Sequence, residues 1–362
     1  MHLLFAPLRL CVRFVCINRI TRLRSPSGRI VGGFPPLTCR RKSFVMGPPR
    51  TMKPVYTLED LRDWKNATAG EALPIRLAVF GDPVAHSLSP QMHNAALEAC
   101  GIPARYCRLH IHPEELPEAL SLLPKAGFIG ANFTIPHKAA VLGLLDTVDD
   151  HARKIGVVNT VVVGEDGRMS GFNTDGPGLL RAVRAEFGVD LRDLRVMVLG
   201  AGGGAGRAIS AQCAIENCQR LVLVNRTFEK AQQVAAELAP YFKDPRVFGP
   251  ARRLEAVPWE EKELARQLAN TDLVINATSC GMKRTDPSVL PASILQANLL
   301  VYDTIYTAQL TPLLADAQSV GARGANGASM LLYQGVGSFE LWFEREAPVE
   351  VMKAAMEQAK HL

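Results

Sequence analysis

From residue 75 onward the chain alternates between short apolar runs and stretches with helical spacing. Residues 75–80, 105–111 and 128–134 read as strands, being short apolar runs bounded by Gly, Pro and polar residues. Helical patterns fill 90–99, 113–123 and 136–145. The second of these opens on Pro113 and Glu114, a helix-start signal. Residues 157–163 and 168–172, joined through Glu165-Asp166-Gly167, predict a hairpin. A helix over 178–187 follows. Residues 195–199 (Arg-Val-Met-Val-Leu) predict a buried parallel strand, and 221–224, 273–277 and 299–303 predict three more. Residues 321–327 (Gly-Ala-Arg-Gly-Ala-Asn-Gly) read as a loop, and 328–343 and 349–360 as two closing helices. Alternating units of this kind imply an α/β fold with two sheet-containing layers and a cleft between them, ligands gathering at the carboxyl ends of the strands.

The strand at 195–199 runs straight into Gly200-Ala201-Gly202-Gly203-Gly204-Ala205-Gly206 and then into an apolar helical run over 208–213. Strand, glycines and helix in that order suit a pyrophosphate. The first glycine makes the turn, the next lets backbone approach the phosphates, and the helix N-terminus offers unpaired N–H groups. A Gly-rich turn that binds nothing is the competing reading. The following strand ends in Asn225-Arg226-Thr227, where an NAD site carries Asp or Glu for the ribose 2′-hydroxyl. A carboxylate there repels a 2′-phosphate, whereas a guanidinium and a hydroxyl suit one. The expected cofactor is therefore NADP, with Arg226 as a merely solvated surface charge the alternative.

Composition changes this picture mainly at the N-terminus. The chain has 362 residues, 48% of them hydrophobic, and a formal charge of +6. Residues 1–58 hold eleven Lys or Arg and no Asp or Glu, which leaves 30 basic against 35 acidic residues in 59–362. The globular part is mildly acidic and gives no reason to expect a nucleic-acid partner. The apolar stretch 3–17 is broken by Pro7, Arg9 and Arg13, against a signal peptide or membrane span. We read residues 1–51 as a disordered extension, either preceding a misplaced start at Met52 or acting as a transit peptide. A chain beginning at Met52 is then expected to match the full-length chain in melting temperature and kcat/KM. A Tm several degrees lower would place the extension within the fold. The eight cysteines show no metal spacing; no metal is expected, and buried thiols in a reducing, cytoplasmic compartment are the expectation, with plastid-type targeting the alternative.

Polar residues gather at the predicted strand ends. After the first strand comes Gly81-Asp82-Pro83-Val84-Ala85-His86-Ser87-Leu88-Ser89-Pro90. Ser89 before Pro90 reads as an N-cap, while Ser87 has no such duty; both hydroxyls beside a helix N-terminus suit a carboxylate. After the third strand comes Asn132-Phe133-Thr134-Ile135-Pro136-His137-Lys138, with Lys138 in a helix first turn, where a cation opposes the dipole. Asn159 is a polar residue in an apolar strand, and Asn173-Thr174-Asp175-Gly176 closes the hairpin.

These segments, with Gly200–Gly204, Asn225-Arg226-Thr227, Asn276-Ala277-Thr278, Tyr302-Asp303, Tyr306, Gly327 and Met330 to Gln334, resemble the shikimate dehydrogenase family in order and spacing over about residues 75–345. Ala205-Gly206 departs from the Ser or Thr that many members carry. The resemblance implies two α/β domains. Residues 52–176, completed by 328–362, would form a substrate-binding domain, and 177–327 a Rossmann-type NADP-binding domain. It implies reversible NADPH-dependent reduction of 3-dehydroshikimate, a small-molecule substrate, with no nucleic-acid or membrane partner, by a monomer or homodimer. It assigns Lys138 and Asp175 as the catalytic pair and Ser87, Ser89, Thr134, Asn159, Tyr306 and Gln334 to the substrate. It assigns Gly200, Ala201, Gly202, Gly203, Gly204, Ala205, Asn225, Arg226, Thr227, Thr278 and Gly327 to the cofactor. The alternatives are a quinate/shikimate dehydrogenase using NAD(P), and a non-catalytic NADP-sensing regulator of the same fold.

Overall fold

Two sheets are built from the predicted alternation. The computed structural model describes residues 53–242, 252–283, 285–307 and 309–359. The expectations for 1–51, with Cys11, Cys16 and Cys39, and for Lys360 lie outside the described residues. The first sheet holds β1 (Tyr56–Thr57), β2 (Ile75–Gly81), β3 (Arg105–His110), β4 (Gly130–Phe133), β5 (Thr147–Val148), β6 (Thr160–Val163) and β7 (Met169–Phe172). Their spatial order is β1-β3-β2-β4-β6-β7-β5. The strands β1 to β4 run parallel, and the β6–β7 hairpin closes antiparallel against β4. The second sheet holds β8 (Arg195–Leu199), β9 (Arg220–Val224), β10 (Leu254–Val257), β11 (Leu273–Asn276), β12 (Leu300–Asp303) and β13 (Arg323–Asn326). It is parallel throughout, in the order β10-β9-β8-β11-β12-β13. The chain builds outward from β8 first to one side and then to the other. This is the Rossmann arrangement, and the reversal at β8 makes a topological switch point. Both sheets belong to one compact unit.

Several boundaries differ from the sequence expectation, each for a local reason. Residues 321–327 hold β13 rather than a loop alone. Its Arg-Gly-Ala-Asn sequence has no strand propensity, and pairing to β12 supplies the order. The 136–145 helix reduces to His137–Ala140, followed by a 3₁₀ turn over Val141–Leu144, and 113–123 likewise opens as a 3₁₀ turn before Leu116–Leu122. The helix expected from 178 begins at Asp175, because the Asn173 side chain accepts from the amides of Asp175 and Gly176 at 3.1 and 3.2 Å. Asn159 lies just before β6 rather than inside it. Helices Asp150–Ile155, Phe228–Leu238, Glu261–Leu268 and Pro312–Ser319 and strand β10 were not assigned from sequence.

The helix Ala328–Phe343 leaves the second sheet and returns to the first. Its Leu332, Val336, Phe339 and Trp342 are buried with Leu77, Val79, Met92 and Tyr106 in one apolar cluster. The Trp342 indole N–H donates to the Val161 carbonyl at 2.9 Å, and a side chain at Gly130 would collide with that ring. The final helix, Val349–Ala359, adds Met352 and Met356 to the same cluster.

Candidate active site

The carboxyl ends of β2, β4 and β8 converge on one place. The turn after β4 sets Lys138 in the first turn of its short helix, and the Val158 amide donates to the Lys138 carbonyl at 2.9 Å. The ammonium donates to Asp175 Oδ2 at 2.7 Å, with the two side chains 17% and 6% exposed. A buried pair of this kind is weak evidence for stability, since desolvation offsets most of the attraction. The other carboxylate oxygen, Oδ1, accepts from Asn159 Nδ2 at 3.0 Å, so the acid is held from two sides.

Asn159 is the hub of a buried polar network. Its Oδ1 accepts from the Thr174 amide at 2.8 Å, and its Nδ2 also reaches Thr174 Oγ1 at 2.9 Å and Gln334 Oε1 at 3.5 Å. Four predicted residues far apart in sequence, Lys138, Asn159, Asp175 and Gln334, thus form one connected chain. The hydroxyl of Ser338, which sequence reasoning missed, ties this network to the sheet. It meets Asn132 Nδ2 and Thr160 Oγ1 at 2.9 Å each and donates to the Gln334 carbonyl at 3.0 Å. Its signal was available: a serine one helical turn beyond Gln334 on the same face.

Ser87 and Ser89 are buried in the loop after β2 and the helix it feeds. Capping is distributed differently from the expectation. Ser89 is the first helical residue, and Ser87 Oγ accepts from its amide at 3.3 Å, because Pro90 allows the helix to start one residue earlier. Arg108 pins this loop by donating to the Ser87 carbonyl from Nη2 at 2.6 Å and Nε at 3.1 Å. Thr134 continues β4, its amide donating to the Phe80 carbonyl, and its methyl fills the space beside Gly81. Tyr306 stands in the loop after β12 and joins no hydrogen bond with this network.

The glycine turn lies where the sequence puts it. Gly200 has φ +84°, and its amide and that of Ala201 both donate to the Val224 carbonyl. The Gly202 amide donates to Asn225 Oδ1 at 3.2 Å, and the helix Gly204–Ile215 follows, with Ala205 in its first turn. A Cβ on Gly206 would collide with the Gly200 carbonyl oxygen, so this glycine serves helix–strand packing. At Gly203 the nearest atom to such a Cβ is 3.5 Å away, and at Gly204 it is Lys138 Cβ at 4.0 Å. The open side of the turn therefore faces Lys138, and the residues present fit a dinucleotide pyrophosphate. Thr278 is fixed by Asn276 Oδ1, which accepts from its amide and hydroxyl at 3.0 and 2.7 Å. Asn276 in turn donates to Asp303, whose carboxyl is raised by burial and opposed by bonds from Thr311, Ile305 and Asn276. Gly327 packs so closely on the Thr304 backbone that a Cβ would run into its carbonyl oxygen.

Arg226 and Thr227 are exposed just past β9, and Asn225 Nδ2 donates to the Thr227 carbonyl at 2.9 Å. Lys230 joins them. Its Cβ lies 2.7 Å from where a Cβ on Gly202 would stand, so its stem flanks the turn. Sequence reasoning missed Lys230, although the signal that exposed Lys138, a cation in a helix first turn, applies to it equally. Among the described residues no helix is long and apolar enough to cross a membrane.

Comparison with known proteins accords with this geometry. Residues 79–161 match the shikimate dehydrogenase substrate binding domain, 181–289 the shikimate / quinate 5-dehydrogenase model, and 327–357 the shikimate 5'-dehydrogenase C-terminal domain. The chain is 44% identical over 285 residues to shikimate dehydrogenase (NADP(+)) of Moorella thermoacetica, covering 78% of this chain and 92% of that one. The structure of shikimate 5-dehydrogenase from Thermus thermophilus in complex with NADP(H) and shikimate is 37% identical, with a TM-score of 0.68, over 79% of this chain and 99% of that one. Quinate dehydrogenase from Corynebacterium glutamicum in complex with NAD is 29% identical with a TM-score of 0.68, over 78% and 99%. With its parallel nucleotide sheet, its glycine turn and its relatives of about two-fifths identity, the chain belongs to the shikimate dehydrogenase family.

Proposed function

We propose that this protein catalyses the reversible NADPH-dependent reduction of 3-dehydroshikimate to shikimate, in the cytoplasm, as a monomer or homodimer. The observation that carries the reading is the Lys138–Asp175 pair, 2.7 Å apart and facing the open side of the glycine turn. NADPH supplies the hydride when bound. Reduction of a ketone builds negative charge on its oxygen. The Lys138 ammonium, with three donors, stabilises that charge and holds the proton the oxygen takes. Asp175 Oδ2 fixes the ammonium, and Asn159 fixes Asp175 through Oδ1. Ser87 and Ser89 hold the substrate carboxylate with Thr134 at the same substrate end, Asn159 and Gln334 take its ring hydroxyls, and Tyr306 lines the site. Gly200, Ala201, Gly202, Gly203, Gly204 and Ala205 cradle the pyrophosphate, with Thr278 and Gly327 beside it, and Asn225, Arg226 and Thr227 take the 2′-phosphate. The five described cysteines are free thiols, in keeping with a reducing compartment.

The pair also argues against a sensor of the same fold, which has no need of a proton donor. Purified protein should oxidise NADPH with 3-dehydroshikimate and reduce NADP with shikimate. Faster turnover of quinate with NAD would shift the assignment to the quinate branch. No turnover with any of these three combinations would leave the sensor.

A further inference from the structure

We propose that Asp82, His110 and His112 form a binding site for a divalent transition-metal ion such as zinc, outside the Lys138–Asp175 network. Strands β2 and β3 are parallel neighbours, with Gly81 in register with His110. Asp82 therefore leaves β2 at the level where β3 ends. His110 and His112 are two residues apart along extended chain, which sets both on one side. The carboxylate lies between the two rings, with Oδ1 at 2.8 Å from His110 Nε2 and Oδ2 at 2.9 Å from His112 Nδ1. The three groups each offer one ligand atom, all within 4.8 Å of one another.

Two imidazoles and one carboxylate are a complete protein ligand set for an open zinc site, water taking the fourth position. Metal–ligand bonds of about 2.0–2.1 Å place tetrahedral ligands roughly 3.4 Å apart, so the two ring–carboxylate contacts open by about half an ångström while the wider separations, within 4.8 Å, draw in. The side chains have room for this, at 29% exposure for Asp82, 34% for His110 and 51% for His112. The backbone around them is fixed. The Asp82 amide donates to the Ile135 carbonyl at 3.0 Å, the His137 ring is hydrogen-bonded to the Ile111 carbonyl at 2.8 Å, and the His112 amide donates to Glu115 at 2.8 Å. Mixed nitrogen and oxygen donors favour zinc, cobalt or nickel over magnesium, which asks for oxygen alone. The ion ties the start of the Ser87 loop to the end of β3.

The test uses full-length protein without a polyhistidine tag, stripped with EDTA and titrated with Zn²⁺ by calorimetry and with Co²⁺ by visible absorption. One equivalent is expected to bind, with a rise of a few degrees in Tm at excess Zn²⁺ and none with Mg²⁺. Asp82→Ala and His112→Ala should each weaken binding tenfold or more. The His112 side chain is half exposed, so its removal leaves the fold in place. Absence of saturable binding, or affinity within tenfold of the parent in His112→Ala, would overturn the site.

Discussion

Lys138→Ala is expected to fold and to lose about 10²-fold or more in kcat, the usual scale for a removed acid–base group. The substitution leaves Asp175 buried against Asn159 Nδ2 alone. Some stability will go with it, since stripping one partner from a buried pair costs about 3 kcal/mol or more. Circular dichroism and a melt therefore accompany the kinetics. Under the proposed mechanism the ammonium acts on charge that develops in the transition state, so kcat should fall far more than KM for shikimate rises. Asp175→Asn should lower kcat similarly, with weaker substrate binding as well. A Lys138→Ala enzyme with near-parental kcat would remove Lys138 from the chemistry.

Arg226→Ala is expected to raise KM for NADPH by roughly 10²-fold and scarcely to change KM for NADH. A charge-assisted contact to phosphate contributes about 1.5–3 kcal/mol, and each 1.4 kcal/mol is tenfold. Lys230 flanks the same turn, so Arg226→Ala with Lys230→Ala should approach parity between the two cofactors. Equal losses with NADPH and NADH would mean that Arg226 supports the loop rather than reading the phosphate.

Strands β8, β9, β11 and β12 of the second sheet were legible because they are continuous apolar runs and the first turn is glycine-rich. Periodicity and turn chemistry there point the same way. β13 was not legible, since Arg323-Gly324-Ala325-Asn326 is ordered by its neighbour β12 and not by its own propensity. In the active site, Lys138 was singled out as a cation opposing a helix dipole, although its helix is a single turn, His137–Ala140, and Lys230, in the first turn of the longer Phe228–Leu238, meets that rule better but was overlooked. Ser338 carries no local conflict. Its importance arises only when the helix Ala328–Phe343 brings it beside Asn132 and Thr160, some two hundred residues earlier in the chain. Asp82, His110 and His112 were present in the sequence as a loop and a strand end, but only the β2–β3 register sets them together.

The helix Ala328–Phe343 has a consequence for synthesis on the ribosome. Leu77, Val79, Met92 and Tyr106 are translated early, yet the residues that cover them, Leu332 to Met356, follow more than two hundred residues later. At about 5–20 residues per second the gap is on the order of ten seconds or more. Throughout it, one apolar face of the first sheet has no lid while the whole nucleotide sheet is being made. The nascent amino-terminal half is therefore a natural client for chaperones that bind exposed apolar surface. Completion of its core, and of the Gln334–Asn159 contact, waits until that helix has been made.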